Sequence, residues 1–188
     1  MALQFALIAT GLNIWHRMAL AYVVLIPLAV VLCKPGWRAL FAWNTKHAVA
    51  GVTATIVMLA ATFAVVYGIR AWSPELSAQI AGLMAWKSLV PAWQMWPLLI
   101  WVIFGEEIVW RGGVTMGFAK FGFWPAVGLG AVAFTLFHLA FGPPLLLVAA
   151  FGAGAVWSWL LLRYKSIWPP LICHLAWDVT VMLTLPLG

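Results

Sequence analysis

The sequence predicts an all-α fold: a polytopic transmembrane helix bundle of about six spans, with one or two interfacial or half-inserted helices. Three observations predict it. The 188-residue chain is 66% hydrophobic, with a mean hydropathy of +1.06, and only 7% charged, whereas a soluble domain needs about 25% charged residues to cover its surface. Apolar runs recur along the whole chain at the length of about 20 helical residues that a roughly 30 Å hydrocarbon core demands. Those runs, such as 52–66, are apolar on every side, where a barrel strand would alternate. Helices satisfy their backbone groups internally, so they carry the fold in lipid.

Taken in order, residues 4–15 are too short to span and read as an interfacial or half-inserted helix. The first residues lack a basic region or a cleavage site and are expected to stay in the mature protein. Spans are expected over 18–33, 47–69, 96–118, 123–141, 144–162 and 167–185. Lys87 and Pro91 interrupt 77–93. If that segment does not cross, Lys34, Arg38, Lys46, Lys120, Arg163 and Lys165 collect on one face and only Arg17, Arg70 and Lys87 on the other, as the positive-inside rule requires. If it crosses, the bias vanishes, so 77–93 is expected not to span and the C-terminus to be external.

The net charge of +6 is scattered through loops as topology signals rather than gathered into a patch, so no nucleic-acid partner is expected. The expected partners are the lipid bilayer and a membrane-associated protein or peptide, with the chain a multi-pass protein of the cell membrane. Of 14 tryptophans, Trp72, Trp93, Trp96, Trp124 and Trp168 fall near span ends, where indoles prefer the interface. Trp110, Trp157, Trp159 and Trp177 lie deeper, with core packing favoured over lining a pocket. Gly128, Gly130, Gly152 and Gly154 suit close helix approach. Cys33 and Cys173 match no metal-ligand spacing and read as small buried apolar residues.

The informative feature is where the few ionisable groups fall. Of four acids in the chain, Glu106, Glu107 and Asp178 lie inside expected spans, as do His138 and His174. A charge at mid-bilayer costs at least about 2.5–3.5 kcal/mol, so such residues face a bundle interior and mark function. Glu107 and Arg111 are four apart, on one face of a helix in the favourable acid-before-base order, with Glu106 rotated roughly 100° away. One glutamate is thus paired and one free. His174 and Asp178 share a face of a second helix, and His138 comes from a third. Counted from the span ends, Glu106, His138, His174 and Asp178 sit at similar depths, roughly 10–22 Å, and can converge. Gly112 and Gly113 weaken the helix after Arg111 and would let it bend around a cavity.

Glu106-Glu107-Ile-Val-Trp-Arg111, Phe134-Thr-Leu-Phe-His138 and His174-Leu-Ala-Trp-Asp178 resemble, in order and spacing, the E-E-x-x-x-R, F-x-x-x-H and H-x-x-x-N/D motifs of the CPBP intramembrane proteases. That family includes the CAAX prenyl endopeptidases of Ras-converting type and the bacteriocin-processing proteins. The resemblance covers roughly 96–185 and divides the chain into an N-terminal transmembrane and interfacial region, 1–95, and a catalytic core, 96–188.

The resemblance implies an intramembrane endopeptidase with Glu106, Glu107, Arg111, His138, His174 and Asp178 as its site. Glu106 would be the general base and His138 would hold the attacking water. Arg111 would fix Glu107, and His174 with residue 178 would steady the oxyanion. The family often has Asn at that last position, and Asp178 donates only when protonated, so a role in orienting His174 or a second water is equally open.

No cofactor is expected, because no H-E-x-x-H arrangement is present. Zinc stays open as the mechanistic rival, with Glu106, His138 and His174 as its ligands. A small proton-coupled transporter would also bury such groups, yet it would show inverted repeats or paired broken helices, and a non-catalytic scaffold has no use for them. The substrate candidates are a prenylated CAAX tail, a bacteriocin leader or a C-terminal sorting segment.

Overall fold

A computed structural model describes residues 8, 10–33 and 36–185, without the side chain of Cys33. Residues 4–7 and 9 of the expected interfacial segment 4–15, and Lys34, lie outside the described residues. Among the described residues every regular element is helical. Helix α1 is Ile14–Cys33, followed by a short turn, Trp37–Leu40. Helix α2, Thr45–Trp72, starts at Asn44, whose side chain accepts from the Lys46 amide at 2.9 Å and so satisfies one of the orphan donors of the first turn. Helix α3, Pro74–Met84, uses Ser73 in the same way, with proline in its first turn where no donor is needed.

Helix α4, Ala92–Glu106, runs directly into a π-helical stretch, Glu107–Thr115. Helices α5, Phe123–His138, and α6, Pro144–Tyr164, form an antiparallel pair. Lys165, in the left-handed region at φ 51°, turns the chain into α7, Trp168–Thr184.

All six expected spans therefore appear as helices. Ile14–Leu32, Thr45–Trp72 and Pro144–Tyr164 are each long and apolar enough to cross a membrane. The bent pair Pro74–Ser88 and Ala92–Phe121 makes a fourth candidate, its halves meeting at 109°. That bend aims α3 away from the direction of α4 rather than along it. Phe123–His138 is apolar but has only 16 residues, short of the roughly 20 that a full crossing takes. Three or four helices thus meet the requirement where six were expected. The reason is that α5 and α7 are shorter than the apolar runs containing them.

Large apolar side chains such as Val52, Ile56, Val57 and Val65 on α2 stand exposed, a surface that lipid and not water would solvate. The two ends of the bundle are defined by contacts. The Ile167 amide donates to the Leu40 carbonyl at 3.0 Å and the Trp168 indole to the Phe41 carbonyl at 2.8 Å. These bonds hold the turn after α1 against the α6–α7 junction, which carries Arg163 and Lys165. At the opposite end Lys87 Nζ donates to the Leu185 carbonyl at 3.1 Å and the Trp15 indole to the Trp86 carbonyl at 2.7 Å.

Missing side chains set how closely the helices approach. A Cβ at Gly51 would meet Ile172 Cβ at 2.8 Å and the Pro169 carbonyl at 2.9 Å, so α2 lies directly against α7. At Gly154 it would press on the Phe134 ring, and at Gly130 on Thr115 and Ser158. Gly128 and Gly152 face open space instead. They lie on the outer sides of α5 and α6, so the expectation of close approach holds for two of those four glycines and fails for the other two. Cys173 is buried.

Candidate active site

The six ionisable residues singled out in the sequence come together where α4, α5 and α7 meet. They form two tiers. Glu106, His138, His174 and Asp178 line a cavity of about 130 Å³, whose other walls include Met18, Leu99, Val102 and Met182. Glu107 and Arg111 lie behind it, completely buried.

The π-helical stretch produces this division. A wider turn beginning at Glu107 sends Glu107 and Arg111 inward together, and Gly112 lets the segment pass against the Trp37 ring, where any Cβ would collide. Single π-turns inside α-helices are frequent at functional sites. The glycine pair marked the weak point, and the outcome is a π-helix.

His174, at the cavity wall, links it to the buried tier. Its Nδ1 stands 2.8 Å from Glu107 Oε1, and because a carboxylate oxygen accepts, that nitrogen is the donor. Its Nε2 faces Glu106 Oε2 and Asp178 Oδ2, each at 3.5 Å. Three acceptor groups converging on one edge require at least one proton among them. The imidazole lies on the Trp157 ring with centroids 3.5 Å apart and planes 19° from parallel, which fixes its orientation.

Arg111 completes the tier. Its Nε is 3.6 Å from Glu107 Oε1, an ion pair longer than a hydrogen bond. Its guanidinium lies over the Phe134 ring at 4.3 Å and the Trp157 ring at 4.9 Å. A buried arginine held by ring faces as well as by a carboxylate is favoured by the weak hydration of the guanidinium.

His138 is set from its own helix. Nδ1 is 2.9 Å from the Phe134 carbonyl, one turn back, and a carbonyl can only accept, so Nδ1 carries a proton. In the neutral ring Nε2 is then a lone pair, 4.0 Å from Glu106 Oε1. Glu106 is not free, as the sequence suggested. Tyr22 of α1 donates to its Oε1 at 3.3 Å, and the Trp110 indole donates to the Tyr22 hydroxyl at 3.0 Å.

Sequence reading missed Tyr22 because a tyrosine inside an apolar run looks like any buried aromatic, and its partner lies 84 residues away. Of the deep tryptophans, Trp157 and Trp177 reach the cavity wall, Trp110 holds Tyr22, and Trp159 is exposed on the outer side of α6. Among the described residues no group of three or more His, Cys, Asp and Glu side chains is arranged to hold a metal ion.

Three motif helices thus meet at an acid-lined cavity within an apolar bundle whose outer surface suits lipid. Residues 86–180, just over half of the chain, match the family model described as type II CAAX prenyl endopeptidase Rce1-like. The chain belongs to this family of membrane endopeptidases. No curated protein and no solved structure matches it.

Proposed function

We propose that the protein is a glutamate-dependent intramembrane endopeptidase of the cell membrane, with Glu106 as general base. The observation that carries this reading is the Glu106 carboxylate at the wall of an apolar cavity. It has the His138 lone pair 4.0 Å from one oxygen and His174 3.5 Å from the other. Two acceptors at this separation suit a water that donates one hydrogen to each.

The water oxygen attacks the scissile carbonyl carbon as its proton passes to Glu106. The carbonyl oxygen takes the negative charge and is steadied by the His174 Nε2 proton, which Asp178 keeps in place. When the C–N bond breaks, Glu106 returns its proton to the leaving amine. Glu107 and Arg111 touch no reacting atom in this scheme. Glu107 accepts the Nδ1 proton of His174, which with its Nε2 proton is then the imidazolium, and the Glu107–Arg111 pair holds that ring in orientation, as carboxylate partners of catalytic histidines do.

This reading needs no metal. The apolar cavity walls favour a membrane-associated protein or peptide, with a C-terminal tail or sorting segment as the piece removed. Wild type and Glu106→Gln, expressed in the native host, provide the test. New protein termini in the membrane fraction that vanish in the variant, at equal abundance of the protein, are the expected result. Identical terminal profiles would remove Glu106 from the role of base.

A further inference from the structure

The first 85 residues lie outside the family match, yet one of them touches the carboxylate at the centre of the site. We propose that Tyr22 is a positioning residue for Glu106, so that helix α1 supplies a working part of the site. The inference rests on the endopeptidase reading above and adds a residue to it.

Four observations carry it. Tyr22 is fully buried, so its hydroxyl has no bulk water to bond. That hydroxyl is saturated in one sense only: the Trp110 indole, which can only donate, occupies its lone pair at 3.0 Å, and the hydroxyl hydrogen is left for Glu106 Oε1 at 3.3 Å. The ring reaches this position because residue 105 is glycine. A Cβ there would come within 2.5 Å of Tyr22 Cγ and 2.8 Å of its Cβ. Finally, α1 is fastened to α4 nearby by the Trp101 indole donating to the Ala19 carbonyl at 3.1 Å.

The consequence concerns one oxygen. Oε1 is the Glu106 atom nearest His138, and Oε2 is the one facing His174. A donor from α1 on Oε1 stops the carboxylate from rotating about its terminal bond, a torsion that is otherwise broad. Each oxygen therefore keeps its own partner. A base held in place lowers the barrier through orientation rather than through substrate binding, so its loss shows in kcat and not in KM.

The test uses the full-length protein in liposomes and a fluorogenic farnesylated peptide ending in a CAAX sequence. If wild type leaves that peptide intact, the membrane protein whose cleavage Glu106→Gln abolishes takes its place. Tyr22→Phe keeps the ring against Gly105 and removes only the hydroxyl. The expected result is a kcat lower by about tenfold, the order expected for losing one hydrogen bond to a charged group, with KM unchanged. Trp110→Phe is expected to lower kcat by a smaller factor, and to have no further effect once Tyr22→Phe is present, because the two act through one hydroxyl.

Tyr22→Phe turning over at the wild-type rate while Glu106→Gln is inactive overturns the inference and leaves the endopeptidase reading standing. Cleavage that survives Glu106→Gln removes that reading, and the inference with it. Should Tyr22→Phe fail to accumulate in the membrane, Trp110→Phe decides. A lower kcat at unchanged KM supports the role of Tyr22, and a wild-type rate overturns it.

Discussion

The His174 Nδ1 of α7 donates to Glu107 Oε1 on the π-helical stretch at 2.8 Å, so two of the three sequence motifs are joined by one hydrogen bond. Glu107 in turn is the carboxylate beside Arg111. Removing its charge leaves a buried guanidinium with two ring faces and no anion. Breaking a buried pair from one side costs about 3–5 kcal/mol. Glu107→Gln is therefore expected to lower the unfolding temperature in detergent markedly as well as to reduce cleavage. A variant as stable as wild type would show that the pair is not structural.

Trp157 is shared by the two tiers: it stacks on His174 and lies beneath Arg111. Trp157→Ala removes a fully buried ring and is expected to cost about 3–5 kcal/mol. Trp157→Phe keeps a ring in that place and is expected to retain most of the stability. Thermal unfolding of both proteins, alongside cleavage, separates loss of the stack from loss of volume. Equal stability of the two variants would contradict the role given to the ring.

Gly51 and Gly128 make a matched pair away from the site. Alanine at 51 must push on Ile172 and the Pro169 carbonyl, and such overpacking costs about 1–3 kcal/mol. Alanine at 128 meets nothing and gains helix propensity of about 1 kcal/mol. Melting temperatures should therefore move in opposite directions. Two equal shifts would mean that α2 does not pack against α7 as described.

The fold was legible because apolar runs without polar alternation have few solutions in lipid, and each expected span from 18–33 to 167–185 corresponds to a helix. The helix ends were less legible, because apolar composition does not mark where a helix stops: α5 ends at His138 although the apolar run continues to Phe141, ahead of Gly142 and Pro143. The site was legible to the extent that it is ionisable: Glu106, Glu107, Arg111, His138, His174 and Asp178 stand out against hydrocarbon by cost alone. Tyr22 carries no such cost signal, and its contact follows from the approach of α1 to α4 over Gly105, which periodicity does not encode. The π-helix was half visible. Gly112 and Gly113 marked a weak turn, but the sequence does not show that Trp37, from another element, packs directly against Gly112 there.

Metal dependence separates the favoured reading from its zinc rival. Cleavage by the purified protein is expected to survive prolonged treatment with a strong chelator, because Glu106 acts on water directly. Loss of activity on chelation, restored by zinc and not by other divalent ions, would move Glu106, His138 and His174 into a ligand set.

The most direct measurement of the central claim is the turnover of purified wild type and Glu106→Gln, reconstituted in liposomes with the substrate found in the native membrane. The account predicts that Glu106→Gln, folded and equally abundant, is slower by at least about 10²-fold, the scale of a lost general base, with substrate binding retained. Cleavage by Glu106→Gln within a fewfold of wild type would contradict it.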